Sequence, residues 1–141
     1  LEAQSRGDAH LRKQEWSQAF ADYRVAMEAA SDQGAPHLRL ALTSLMQRRY
    51  ATAIPHFQRA YHLDPELVTT APALTDLFGE ENNLAVVAMQ QQLIDHVQAD
   101  IRDPDRLYLL GVMLHLIGDP RAREMFELGF RLENGRGEHF A

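Results

Sequence analysis

The sequence predicts an all-α chain: a solenoid of about four helix pairs, eight helices in all. Three observations predict it. Apolar residues recur at helical spacing along nearly the whole chain. Two of the resulting stripes superimpose at a shift of 34 residues, a repeat signal that decides the fold. Gly, Pro and Asp stand where helices must begin or end.

Unit one, roughly residues 1–34, carries the stripe Trp16, Ala19, Phe20, Tyr23, Ala26, Met27, Ala30, wide enough for a helix face. Unit two, roughly 35–66, carries Tyr50, Ala53, Ile54, Phe57, Ala60, Tyr61. The shift sets Trp16 on Tyr50, Ala19 on Ala53, Tyr23 on Phe57, Ala26 on Ala60 and Gly7 on Ala41. Pro36 and Pro55 each read as lying in the first turn of a helix, where a missing N–H does no harm. Unit three, roughly 67–102, is degenerate. Leu74, Leu77 and Phe78 give its first helix, and Leu84, Val87, Leu93, Ile94, Val97 and Ile101 its second, with Thr70-Ala71-Pro72 breaking the first.

Unit four, roughly 103–135, repeats the pattern in Leu110-Gly111, Leu114, Gly118, Ala122, Phe126 and Gly129, with one residue deleted after the turn. Asp103-Pro104 and Asp119-Pro120 read as N-cap Asp followed by Pro at the first helical position. Gly79 and Gly118 suit helix C-caps. Small residues let neighbouring backbones approach, while Trp16, Tyr23 and Phe57 fill between units. One helix pair cannot bury such a face alone, so the units are expected to stack in a single repeat domain, residues 1–141.

This period and these residue types resemble the tetratricopeptide repeat (TPR) family. Unit two carries Ala41, Tyr50, Ala53, Phe57, Ala60 and Asp64-Pro65. Unit one carries Gly7, Trp16, Ala19, Tyr23 and Ala26, and ends in Ser31-Asp32-Gln33-Gly34 instead of Pro. The resemblance implies a right-handed superhelix whose first helices line a concave surface. It also implies a protein-interaction scaffold or adaptor. Members that grip a C-terminal carboxylate do so with Lys, Asn and Arg on their first helices. The corresponding places here hold Gln4, Asp8, Arg39, Asp105 and Arg106, so that clamp is not carried over.

Composition narrows the function. With 45% hydrophobic and 24% charged residues the chain is of globular type. Its net charge of −6 counts against a nucleic-acid binder. No apolar run approaches the roughly 20 residues that cross a bilayer, so no membrane insertion is expected. With no cysteine the chain has neither disulfides nor thiol chemistry, and its compartment stays open. It begins Leu1-Glu2, which reads as an excised piece of a longer protein.

Seven histidines, His10, His37, His56, His62, His96, His115 and His139, show no His-Glu-x-x-His run and no i, i+4 pair. Each is read as structural or solvated. No Gly-x-Ser-x-Gly elbow, phosphate loop or acid/base carboxylate dyad is present. The expectation is therefore no enzyme, no cofactor and no metal.

The informative surface is the expected groove. Leu38, Leu42, Leu45 and Met46 from unit two, with Tyr108, Val112, His115 and Leu116 from unit four, would take a hydrophobic or helical peptide segment. The alternative is a helical accessory domain packing in cis on an enzyme or on a secretion or assembly component. At the C-terminal edge the last helix carries more apolar residues than one inner face buries. Met125, Phe126, Phe130 and Phe140 are expected to meet another molecule there, most simply a second copy in a homodimer.

Overall fold

The computed structural model describes residues 2–67 and 74–133, without the side chains of 129, 130 and 133. Thr70-Ala71-Pro72, the Phe130 side chain and Phe140 lie outside the described residues. The described chain is helical and holds no strand. Its α-helices are α1 (Glu2–Arg12), α2 (Trp16–Ala29), α3 (Gly34–Met46), α4 (Tyr50–Leu63), α5 (Leu74–Phe78), α6 (Asn83–Ala99), α7 (Pro104–Leu116) and α8 (Ala122–Glu133). A 3-10 turn at Glu80–Asn82 precedes α6. Two compact units divide the chain, Leu1–Val86 and Val87–Ala141, with the boundary inside α6.

In the first unit α1 pairs with α2, α3 pairs with α4, and α2 packs on α3. The hairpins share one turn. At the end of α1 the Glu15 N–H reaches the His10 carbonyl (2.9 Å) and the Gln14 N–H the Leu11 carbonyl (3.0 Å). At the end of α3 the Arg49 N–H reaches Ser44 (2.8 Å) and the Arg48 N–H reaches Leu45 (3.0 Å). Both are Schellman closures, with Gln14 (φ 61) and Arg48 (φ 59) in the left-handed position. Those two residues stand 34 apart, the period of the sequence repeat.

Packing repeats with the turn. A Cβ on Gly7 would run into the Tyr23 ring, so only glycine admits that ring against α1. Ala41 and Phe57, at the equivalent places, are both fully buried. The Tyr23 hydroxyl donates to Asp8 Oδ1 (2.6 Å), and Arg39 Nε donates to the same oxygen (2.9 Å), which ties α1, α2 and α3 together. Nearly all of α3 is buried. Its Thr43 and Ser44 hydroxyls are satisfied by donating to the Arg39 and Leu40 carbonyls (2.7 and 2.8 Å).

In the second unit α7 and α8 form the same kind of hairpin. Asp103 caps α7, its carboxylate accepting the Asp105 N–H at 2.9 Å, with Pro104 opening the helix. Gly118 (φ 76) closes it by the same bonds, Asp119 N–H to Leu114 (2.8 Å) and Gly118 N–H to His115 (3.0 Å). A Cβ on Gly111 would meet the Phe126 ring at 2.7 Å, repeating the Gly7–Tyr23 contact.

Three local expectations need correction. Pro55 lies in the second turn of α4, not the first, so it has no N–H to offer the Ala51 carbonyl. Both residues are exposed, and water can reach that carbonyl. Asp119-Pro120 forms a turn ahead of α8, which begins at Ala122, and Asp119 accepts the Arg121 N–H (2.9 Å) there. The buried stripe of α6 is Val86, Met89, Leu93 and Val97. Leu84, Val87 and Ile101 are exposed, at 87%, 59% and 62%.

Candidate functional site

The expected groove residues fall four in each unit. In the first, Leu38, Leu42 and Leu45 are at most 2% exposed and Met46 is half-buried. They lie on α3, which packs against both α2 and α4. In the second, Tyr108 and Val112 are buried, while His115 and Leu116 are half-buried. The Tyr108 ring lies 6.0 Å from that of Phe126, so one expected groove residue and one expected edge residue share a hairpin core. Met125 and Phe126 are half-buried. A partner reaches the buried members only after what covers them moves.

The basic side chains at the clamp positions are engaged internally. Arg39 is bound to Asp8. Arg106 pairs with Asp103 (3.2 Å) and donates to the His96 carbonyl (2.6 Å). Burial, reinforced by the Asp8 carboxylate, raises the Tyr23 phenol well above its usual range, so it stays protonated and donating.

Two polar clusters in the first unit were not legible from the sequence. His37 on α3 and His56 on α4 bring their Nδ1 atoms to 3.3 Å, and the Phe20 ring packs edge-on to His56. Burial lowers both imidazoles. Arg59 adds to this at His37, and His37 and Arg24 add to it at His56. Their separation of 19 residues carries no helical spacing, and only hairpin pairing brings them together. Among the described residues no three His, Asp or Glu side chains converge as a metal site.

The second cluster joins α5 to the α1–α2 turn. Arg12 Nη2 donates to the Asp76 carbonyl (2.9 Å) and Arg12 Nε to that of Leu77 (3.4 Å). In return Asn82 Nδ2 donates to the Arg12 carbonyl (2.7 Å) and to that of Phe78 (2.7 Å). Gln14 Nε2 donates to Asn82 Oδ1 at 2.8 Å. The Trp16 ring stands edge-on to Phe78, with centroids 6.3 Å apart. Leu74, Leu77, Phe78 and Asn82 are all buried.

Among the described residues no helix is long and apolar enough to cross a membrane. Comparison of the chain with protein-family models and with curated proteins finds no match.

Proposed function

We propose that this chain is a non-catalytic protein-interaction module of tetratricopeptide type, a scaffold or adaptor that binds an apolar peptide or protein segment along its first helices. The observation that carries this reading is the recurrence of one hairpin design. Schellman turns at Gln14, Arg48 and Gly118 go with a small residue under an aromatic ring at Gly7–Tyr23 and Gly111–Phe126. Repeated hairpins of this kind build extended recognition surfaces from side chains that need no chemistry of their own.

A selection of displayed peptides on the purified chain tests it. The expected winners are amphipathic, with apolar residues at i, i+3 and i+4, and they bind saturably. Failure to recover any saturable binder would sink the reading.

A second reading, a helical accessory domain packing in cis on an enzyme or assembly component, is favoured by the bare apolar side chains Leu84, Val87 and Ile101. A second copy is the proposed partner at the C-terminal edge. Half-buried Met125 and Leu128, with Leu132 36% exposed, support it.

A further inference from the structure

A third helical unit added to a stack would set its first helix on the unit before it. Here α5, the first-helix segment of the expected third unit, packs on α1 instead, at the end where α1 turns into α2. We propose that α5 with its 3-10 turn, residues 74–82, is an internal strap. It occupies a docking site for a short apolar helix on the α1–α2 turn, and a helix presenting Leu-x-x-Leu-Phe can take its place in trans. This deepens the interaction-module reading by naming a site and the chemistry of its ligand.

The strap is built like a bound ligand. Leu74, Leu77 and Phe78 stand at i, i+3 and i+4, one face of a single helical turn, and all three are buried. Five residues cannot hold a helix alone in water, so the surface beneath supplies its order. The carbonyls of Asp76 and Leu77, at the C-terminal end of α5, have no N–H donors further along their own helix to satisfy them. Arg12 takes both, and its positive charge suits the negative end of the helix. Asn82 returns the arrangement by donating to the Arg12 carbonyl, at the end of α1. Each helix end is thus capped by the other element, and the site reads both an apolar face and a helix C-terminus. Any short helix with that face and a free C-terminal turn offers the same groups.

Trp16, the single tryptophan of the chain, lies against Phe78 and reports on the strap directly. The first variant, Asn82→Ala, removes the cap that the strap supplies and leaves Arg12 in the site intact. The second, Asn82→Asp, keeps the shape but offers an acceptor where two carbonyls need a donor. Acrylamide quenching of Trp16 is expected to rise about twofold or more in both, with the helical dichroism retained, as local opening requires.

A labelled peptide of residues 74–82 should then bind either variant about tenfold or more tighter than the unaltered chain, whose site is already filled. Equal peptide affinity for variants and unaltered chain, unchanged Trp16 quenching, or wholesale loss of helix in both variants would each overturn the strap. The peptide selection is independent of these readouts. A module that binds other peptides while its strap never opens would keep the interaction reading and lose this one.

Discussion

Residue identity decides most at the polar contacts inside the first unit. Asp8 holds Tyr23 and Arg39 together, and nothing in their sequence spacing announces it, because three helices must pair first. The same holds for His37 and His56. Each is kept below the usual imidazole value of 6.5, chiefly by burial, with Arg59 and Arg24 as the nearby cations. The folded unit therefore binds protons less readily than the unfolded chain. It follows that stability is fully present above about pH 6.5, the unfolded value, and is lost progressively as the pH falls from there through the lowered folded values. Denaturant midpoints followed by Trp16 fluorescence should be flat from pH 8 to 7 and drop by pH 5. In His56→Gln the drop should be smaller. A midpoint independent of pH over this range would show that the pair carries no proton linkage.

Among the elements, what the sequence made legible follows from how each signal arises physically. Hairpins α1–α2 and α3–α4 were readable because small and aromatic residues recur at one period, and α7–α8 because the same residue types recur with one residue deleted after the turn. Gly118 was readable as a cap because a left-handed turn favours glycine. Gln14 and Arg48 occupy the same left-handed position and were invisible, since their side chains carry no such preference. The α6 stripe was misread in part: Leu93 and Val97 are buried as expected, but Leu84 and Val87 match the helical period as well as Val86 and Met89 do and only burial separates them, while Ile101 falls beyond the helix end. The expected groove residues are apolar apart from His115, and periodicity cannot tell a lining side chain from a core one. That distinction belongs to what packs on top.

The shared turn gives a clean test at the same scale. A Cβ on Gly118 would meet nothing within 4 Å, so Gly118→Ala isolates the backbone term. It should cost about 1 kcal/mol, the penalty of a left-handed non-glycine residue. Gln14→Gly and Arg48→Gly relieve that penalty but also remove a side chain, which at Gln14 forfeits the bond to Asn82, so each is compared with the alanine variant at its own position. The glycine variant should be the more stable of each pair by about 1 kcal/mol, since only alanine keeps the left-handed penalty. Thermal melts decide it, and alanine as stable as glycine at either position would mean the turns are not equivalent.

For the molecule as a whole the open question is what meets its edges, and α8 shows two different faces. Arg123, Glu124, Glu127 and Arg131 are exposed, and Arg123 pairs with Glu127 at 3.4 Å, as in a terminal helix that faces water. Met125, Leu128 and Leu132, at i, i+3 and i+7, form an apolar stripe beside that charged row, half-buried or exposed. A second copy docking on this edge would therefore use the stripe and leave the charged row in water. The stripe is narrow, so association should be weak and visible only at micromolar concentration or above. Sedimentation equilibrium should show a monomer–dimer exchange that Leu132→Glu abolishes, because the dimer would bury that charge without a partner. Arg123→Glu, on the solvated row, should leave the exchange unchanged. If the chain is monomeric at every concentration, or if Arg123→Glu disrupts the exchange as strongly as Leu132→Glu, the stripe is not the interface. Its side chains then complete only the hairpin core that Phe126 builds with Gly111 and Tyr108.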